Sequence, residues 1–414
     1  MTKSTQHRAW ISGIRLQGGS AVLALSVMLG FGVAVPQSAQ ARSYKVLYAF
    51  RGTQQKKHDG KNSQASVVRD AAGNLYGTTL LGGDGGGGGT YGTVFKVDTT
   101  GKETVLHSFL RHGDGKFPYA GLLLDASGNF FGTTSQGGDF NRGTVFQLSP
   151  TGEETLLYSF AGGADGAGPY AGVTMDNAGN LYGTTAGGGR GYGTVFKIDT
   201  TGKETVLYSF AGSPDGANPY AGVVMDVAGN LYSTTVSGGN SGGCATDGGC
   251  GVVFKLDATG KESVLYNFTG TPDGAFPYGG VVMDASGNLY GTTAGDGSGG
   301  CPGNGCGTVF KIDTSGTETV LHSFTGLPDG VNPHAGLIIA RGILYGTTVS
   351  GGPHGSGTVF KVDKSGKETV LHTFTGKDGY NPFGGLIRDA KGNLYGTTSS
   401  GGGYGFGAVF KLTP

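Results

Sequence analysis

Apolar positions in this chain come in short runs. Residues 169–210 read PYAGVTMDNAGNLYGTTAGGGRGYGTVFKIDTTGKETVLYSF. AGVTMD, LYGTT, GTVFKID and ETVLYSF are rich in Val, Phe, Tyr, Leu and Thr, the residues that suit a pleated strand. NAGN and TTGK between them hold the residues that turns need: Gly for positive φ, and Asn or Asp for local side-chain hydrogen bonds. The pattern predicts four strands, with a Gly-rich loop between the second and third. TVF and VLY put apolar side chains on both faces, whereas a sheet covered on one side would show a period of two. Each sheet is therefore expected to lie between two others.

The unit recurs. NLYGTT at 74–79 returns as NFFGTT at 129, NLYGTT at 180, NLYSTT at 230, NLYGTT at 288, ILYGTT at 343 and NLYGTT at 393, at spacings of 50 to 58 residues. A period this long, met seven times, marks a propeller or an array. Sheets covered on both faces select the propeller blade, and paired small residues such as Ala171 and Gly172 suit an inner strand crowded near an axis. A lone fourth strand, YKVLYAF (44–50), precedes the first repeat, and GAVFKL (407–412) ends the last without its fourth. A linear solenoid would need polar capping repeats. The expected fold is an all-β, seven-bladed propeller of four-stranded antiparallel blades, closed by pairing 44–50 with 407–412.

The unit GNLYGTT…GTVFKID…GKETVLYSF…DG…PYAG resembles the GloVer repeat of the choice-of-anchor tandem repeat GloVer-containing proteins, over about residues 44–414. The resemblance implies an exported bacterial protein and brings no established activity. Members of that family often carry a C-terminal surface anchor. This chain stops at Pro414 within the last blade, so covalent sorting to a surface is not expected.

Composition agrees with a turn-rich β protein. Gly makes up 87 of 414 residues, roughly three times the usual ~7%. The first 41 residues differ: Lys3, Arg8 and Arg15, then the apolar run AVLALSVMLGFGVAV (21–35), then small residues at Ala39 and Ala41. This is the layout of a cleaved secretory signal, and the run falls short of the ~20 residues that span a bilayer. Residues 1–41 are read as a signal peptide and 42–414 as one propeller domain, secreted, monomeric and without a transmembrane segment. Cleavage takes three basic residues from 29 and leaves all 29 acidic ones, a net charge of −3, which gives no footprint for nucleic acid.

Most polar residues fall in the repeat register. The Glu residues start fourth strands, and Asp59, Asp114, Asp165, Asp215, Asp273, Asp329 and Asp378 precede Gly between blades. They read as turn and capping residues; a carboxyl pair for glycoside chemistry could come only from ring-related copies or loops. His107, His322 and His372 stand at a Tyr position of the fourth strand and read as packing residues. His58, His112, His334 and His354 are scattered over loops. No Ser/His/Asp set, HExxH or phosphate loop is visible, so no catalytic residues, metal or cofactor are expected.

Cys244, Cys250, Cys301 and Cys306 break the repeat in two adjacent Gly-rich loops. They read either as a four-thiolate zinc site or as two local disulfides, Cys244–Cys250 and Cys301–Cys306, which an oxidising compartment favours. A last register precedes each inner strand: Gln64, Tyr119, Tyr170, Tyr220, Tyr278, His334 and Phe383. In a propeller it lies near the mouth of the central channel, where six rings either stack on a ligand or pack between blades. The expected function is a non-catalytic extracellular binding or scaffold module for a glycan or protein surface. The alternative is a propeller hydrolase or lyase acting on polysaccharide or peptide.

Overall fold

The computed structural model describes residues 42–52, 59–84, 90–110, 113–240, 244, 248–297, 301 and 305–414. The signal segment 1–41, His58, His112 and Asp247 lie outside the described residues. Seven four-stranded antiparallel sheets follow one another as the blades of a propeller. The first comprises Val68–Arg69, Leu75–Thr79, Thr93–Val97 and Glu103–Ser108, in that spatial order. The seventh is made from both ends of the chain: Ile387–Arg388, Leu394–Thr398 and Ala408–Thr413 are completed by Ser43–Ala49. Ser43 lies opposite Thr413 and Ala49 opposite Ala408, the expected closure. No helix among the described residues is long and apolar enough to cross a membrane.

The inner strand is shorter than the run AGVTMD suggests, with only Thr174–Met175 pairing in the third blade. Its Gly belongs instead to a ring of close approaches about the axis. A Cβ on Gly121 would come within 2.8 Å of the Ser66 carbonyl oxygen, and one on Gly172 within 2.9 Å of the Gly121 carbonyl oxygen. Gly222, Gly280, Gly336 and Gly385 continue the same stepwise contact. At Gly121 and Gly172 the backbone leans on the preceding blade too closely for a side chain; the approach relaxes to 3.4 Å at Gly385, and Ser66 takes this place in the first blade.

Each seam between blades holds its own apolar core. Val145 of the second blade packs with Phe196 of the third, while Phe146 packs back on Val94 and Phe109 of the first. In TVF, the Val therefore faces the following blade and the Phe the preceding one, which explains why these strands do not alternate. The Phe that ends each fourth strand meets the next blade's TVF ring edge-on: Phe109 on Phe146 at 5.3 Å, Phe160 on Phe196 at 5.1 Å, and Phe50 on Phe95 at 5.1 Å across the closing seam.

GTT links these layers. A Cβ on Gly183 would sit 2.5 Å from the Phe196 ring, so Gly makes room for the core Phe. The first Thr donates to a carbonyl of the next blade's inner segment: Thr78 to Ala120, Thr133 to Ala171 and Thr184 to Ala221, each at 2.8 Å. The second Thr meets the Thr that opens the third strand, as in Thr79 and Thr93 at 2.8 Å.

The Gly-rich loops are also paired. Gly115–Lys116, on the connection from the first blade, forms a small ladder with Gln136–Gly137 of the second. Gly60–Lys61 with Leu81–Gly82 and Asp273–Ala275 with Gly295–Gly297 do the same, and single bridges such as Ala167 to Gly187 and Tyr380 to Ser400 mark it in other blades. Loops and interblade connections therefore share one face of the propeller.

Candidate functional site

The aromatic register lies on that face, where each connection turns inward. In the last six blades the ring follows a Pro, and the residue before the Pro has φ between 54° and 63°: Phe117, Gly168, Asn218, Phe276, Asn332 and Asn381. A left-handed conformation at Phe117 and Phe276 is costly for bulky side chains. It is held by backbone hydrogen bonds on both sides: the Phe117 amide donates to Tyr91 O of the preceding blade, and its carbonyl accepts from Ser135 N. Together with the Thr bond to Ala120, this fixes Tyr119 from both directions.

The six rings form one arc. Tyr119 and Tyr170 lie 5.0 Å apart, Tyr170 and Tyr220 4.8 Å, and Tyr220 and Tyr278 5.7 Å. Tyr278 stacks on His334 at 4.5 Å, and His334 meets Phe383 edge-on at 5.4 Å. Gln64 fills the seventh place with its amide turned to Asn62 Oδ1. Burial lowers the His334 pKa to about 4, so its imidazole is neutral at ordinary pH. All six rings remain partly exposed. Tyr170 and Tyr220 open into a cleft of about 380 Å³ that also holds Gln136, Asn141 and Arg142.

A second repeated constellation lies at the seams and was missed in the sequence. The Asp of each DG accepts the amide that follows the fourth strand, as Asp114 does from Leu110 and Asp215 from Ala211. It also takes a hydrogen bond from the Tyr or His of that strand: Tyr48 to Asp59 at 2.5 Å, Tyr266 to Asp273 at 2.7 Å, His107 to Asp114 at 3.1 Å and His322 to Asp329 at 2.9 Å. The three His are thus hydrogen-bonding residues as well as packing ones. The Glu that opens the next blade's fourth strand comes to the same place. Burial, then the charge of the preceding blade's Asp, pushes Glu204, Glu262 and Glu318 up to about 7. In the seventh blade Tyr44 takes the Glu position, stacking on His372 at 3.8 Å and donating to Asp378 O. The two carboxyl registers, about forty residues apart in sequence, meet across every seam that has a Glu. Repetition around the ring is the mark of architecture rather than of a single reaction centre.

The sequence profile of the Gloeobacter/Verrucomicrobia repeat matches residues 32–246 and again 241–414. The chain belongs to that family. No curated protein matches it. Two solved structures share the fold of this Gloeobacter/Verrucomicrobia-repeat propeller. One is the extracellular domain of a protein assigned as a one-component system in B. thetaiotaomicron, 14% identical, with 90% of this chain aligned at a TM-score of 0.52. The chain spans 42% of that chain's length. The other is a protein assigned as a 6-phosphogluconolactonase from Bacteroides uniformis, 16% identical, covering 78% of this chain and 88% of its own at a TM-score of 0.50.

The repeat-breaking cysteines of this family member pair locally, Cys244 with Cys250 and Cys301 with Cys306, which leaves no thiolate for the zinc alternative. Cys244 and Cys250 join the core between the fourth and fifth blades, and Cys306 the next one.

Proposed function

We propose that this propeller is an exported, non-catalytic binding module whose ligand, a glycan, docks on the face that carries the aromatic arc. The observation that carries the reading is where apolar surface remains uncovered. Among the described residues, the large apolar side chains that stand exposed are Leu110, Phe140, Tyr192, Leu327, Tyr380 and Tyr404 on the loops of this face, and Val227 alone at the opposite end. Exposed apolar groups gathered on one face favour an interaction surface. The cleft beside Tyr170 and Tyr220 adds the amides of Gln136 and Asn141 and the guanidinium of Arg142. Flat rings beside planar hydrogen-bonding groups suit a sugar, which offers an apolar ring face and an edge of hydroxyls. Export is supported by the signal-like segment at 1–41 and by the two cysteine pairs.

A glycan array with the purified protein, repeated with Tyr170→Ala/Tyr220→Ala, tests this. The expected result is a defined set of bound glycans lost in the variant while the far-ultraviolet spectrum is kept. Glycan binding unchanged in the variant, or capture of protein partners alone, refutes the site. Reproducible turnover of a polysaccharide or peptide refutes the non-catalytic reading.

A further inference from the structure

At one seam the repeated constellation changes character. His107 and Asp114 of the first blade's outer edge and Glu154 of the second offer one ligand atom each, and these atoms all lie within 4.8 Å of one another. It is the one such group among the described residues. Asp114 is only 5% exposed, and its Oδ1 has no hydrogen-bond partner. The Oε1 of Glu154 is buried and likewise without one, a feature it shares with Glu204, Glu262, Glu318 and Glu368, so the Asp114 oxygen beside His107 is what sets this seam apart.

Comparison around the ring shows why this seam differs. At three others a Thr hydroxyl satisfies the Asp Oδ1: Thr269 on Asp273 at 3.0 Å, Thr325 on Asp329 at 2.8 Å and Thr375 on Asp378 at 2.9 Å. The residue in that place here is Leu110, which offers only its backbone amide, and that goes to Oδ2. The seam at Asp165 supplies the Gly163 amide instead. The Asp215 Oδ1 is also unpartnered, but the fourth-strand residue there is Tyr208, a poor ligand beside an imidazole. His322 has a Glu across its seam but its Asp is satisfied by Thr325, and His372 faces Tyr44 in place of a Glu. An imidazole, a buried Asp oxygen without a partner and an opposing Glu coincide at His107, Asp114 and Glu154.

We propose that His107 Nε2, Asp114 and Glu154 bind a divalent transition metal, zinc by preference, across the seam between the first and second blades. One imidazole and two carboxylates form a zinc ligand set, and a dication neutralises the buried Asp114 and the half-buried Glu154. His107 Nε2 lies 3.1 Å from Asp114 Oδ2, near the ~3.3 Å edge of a tetrahedron with metal–ligand bonds of ~2.0–2.1 Å, and the unpartnered Oδ1 of the same carboxylate is left to take the metal. Glu154, whose Oε1 bonds nothing, closes the remaining distance, and water completes the shell. The metal takes the Nε2 lone pair of the neutral imidazole, whose one proton then sits on Nδ1, so the ring loses no proton overall. The metal would tie adjacent blades at their perimeter.

Calorimetric titration of the EDTA-treated protein with ZnCl2, alongside CaCl2, tests the site. The expected result is one zinc per chain and no comparable calcium binding. His107→Tyr/Leu110→Thr rebuilds the seam with the side chains that stand at Tyr266 and Thr269, so the variant is expected to fold, and its zinc affinity should fall at least ~10-fold. Glu154→Gln keeps the shape of the side chain and should lose zinc to a similar extent. Failure of the parent to bind stoichiometric zinc, or unchanged affinity in both variants, overturns the assignment. If the double variant does not fold, Glu154→Gln alone decides.

Discussion

The hydroxyl of Thr397 donates to the carbonyl of Ala65 at 2.7 Å, joining the last blade to the first across 332 residues of chain. It is the same bond that Thr184 makes to Ala221 between consecutive blades. Closing the ring thus reuses the contact that holds every other seam.

Thr397→Val removes the donor at nearly constant volume and leaves a buried carbonyl without it. A loss of about 1–3 kcal/mol is expected in urea unfolding. Thr184→Val should cost a similar amount, because the two seams are equivalent. A much smaller loss at Thr397 than at Thr184 would show that the closing seam is looser than the rest.

Deletion of residues 42–50 removes the strand Ser43–Ala49 and bares the edge of Ala408–Thr413. It also takes Phe50 from the core it shares with Phe95. The expected product melts far below the parent or aggregates through the open edge, as scanning calorimetry and light scattering would show. A truncated chain with the parent melting temperature rules out this closure.

The seam Glu residues make stability depend on pH. Glu204, Glu262 and Glu318 titrate near 7 in the fold, against an ordinary value of 4.5. The folded protein therefore holds protons on them that the unfolded chain releases between pH 4.5 and 7. Their contribution is fully present below about pH 4.5 and is lost as pH rises through 7. The melting temperature should decline from pH 5 to pH 8, and Glu204→Gln/Glu262→Gln/Glu318→Gln should flatten that decline. A variant with the parent's slope would show that these carboxyls are not the cause.

His334 works in the opposite direction. Its folded pKa of about 4 lies below the ordinary 6.5, so the unfolded chain takes up a proton that the fold refuses. The fold loses stability from this residue as pH falls from 6.5 to 4. The stability of His334→Phe relative to the parent should rise across that window and stay level above pH 7. A difference independent of pH would mean that the imidazole is not held neutral among Tyr278 and Phe383.

How much of the site was legible follows from where its parts lie in the chain. Tyr119, Tyr170, Tyr220, Tyr278, His334 and Phe383 were visible as one register because each follows its own blade's connection at the same place. That the rings touch in sequence, and that Tyr170 and Tyr220 open into a cleft with Arg142, depends on how neighbouring blades rotate together. The sequence showed His107 as a substituted Tyr, Asp114 as a turn residue and Glu154 as a strand start. Leu110, which leaves the Asp114 Oδ1 without a partner, had no signal of its own; comparison with Thr269 and Thr325 supplies one in retrospect.

The sequence by itself determined the blade, its seven copies and the closing strand. Those rest on periodicity, turn residues and sheets apolar on both faces, all of which are local and written in each repeat. The tertiary structure decided which register of one blade meets which register of the next. Seven nearly identical copies carry no local mark of their mutual rotation. That rotation is fixed by close packing: the glycine ring at the axis, the Phe pairs in each seam and the Thr bonds to the neighbouring carbonyls. Only when these are satisfied together do Asp114 and Glu154 meet.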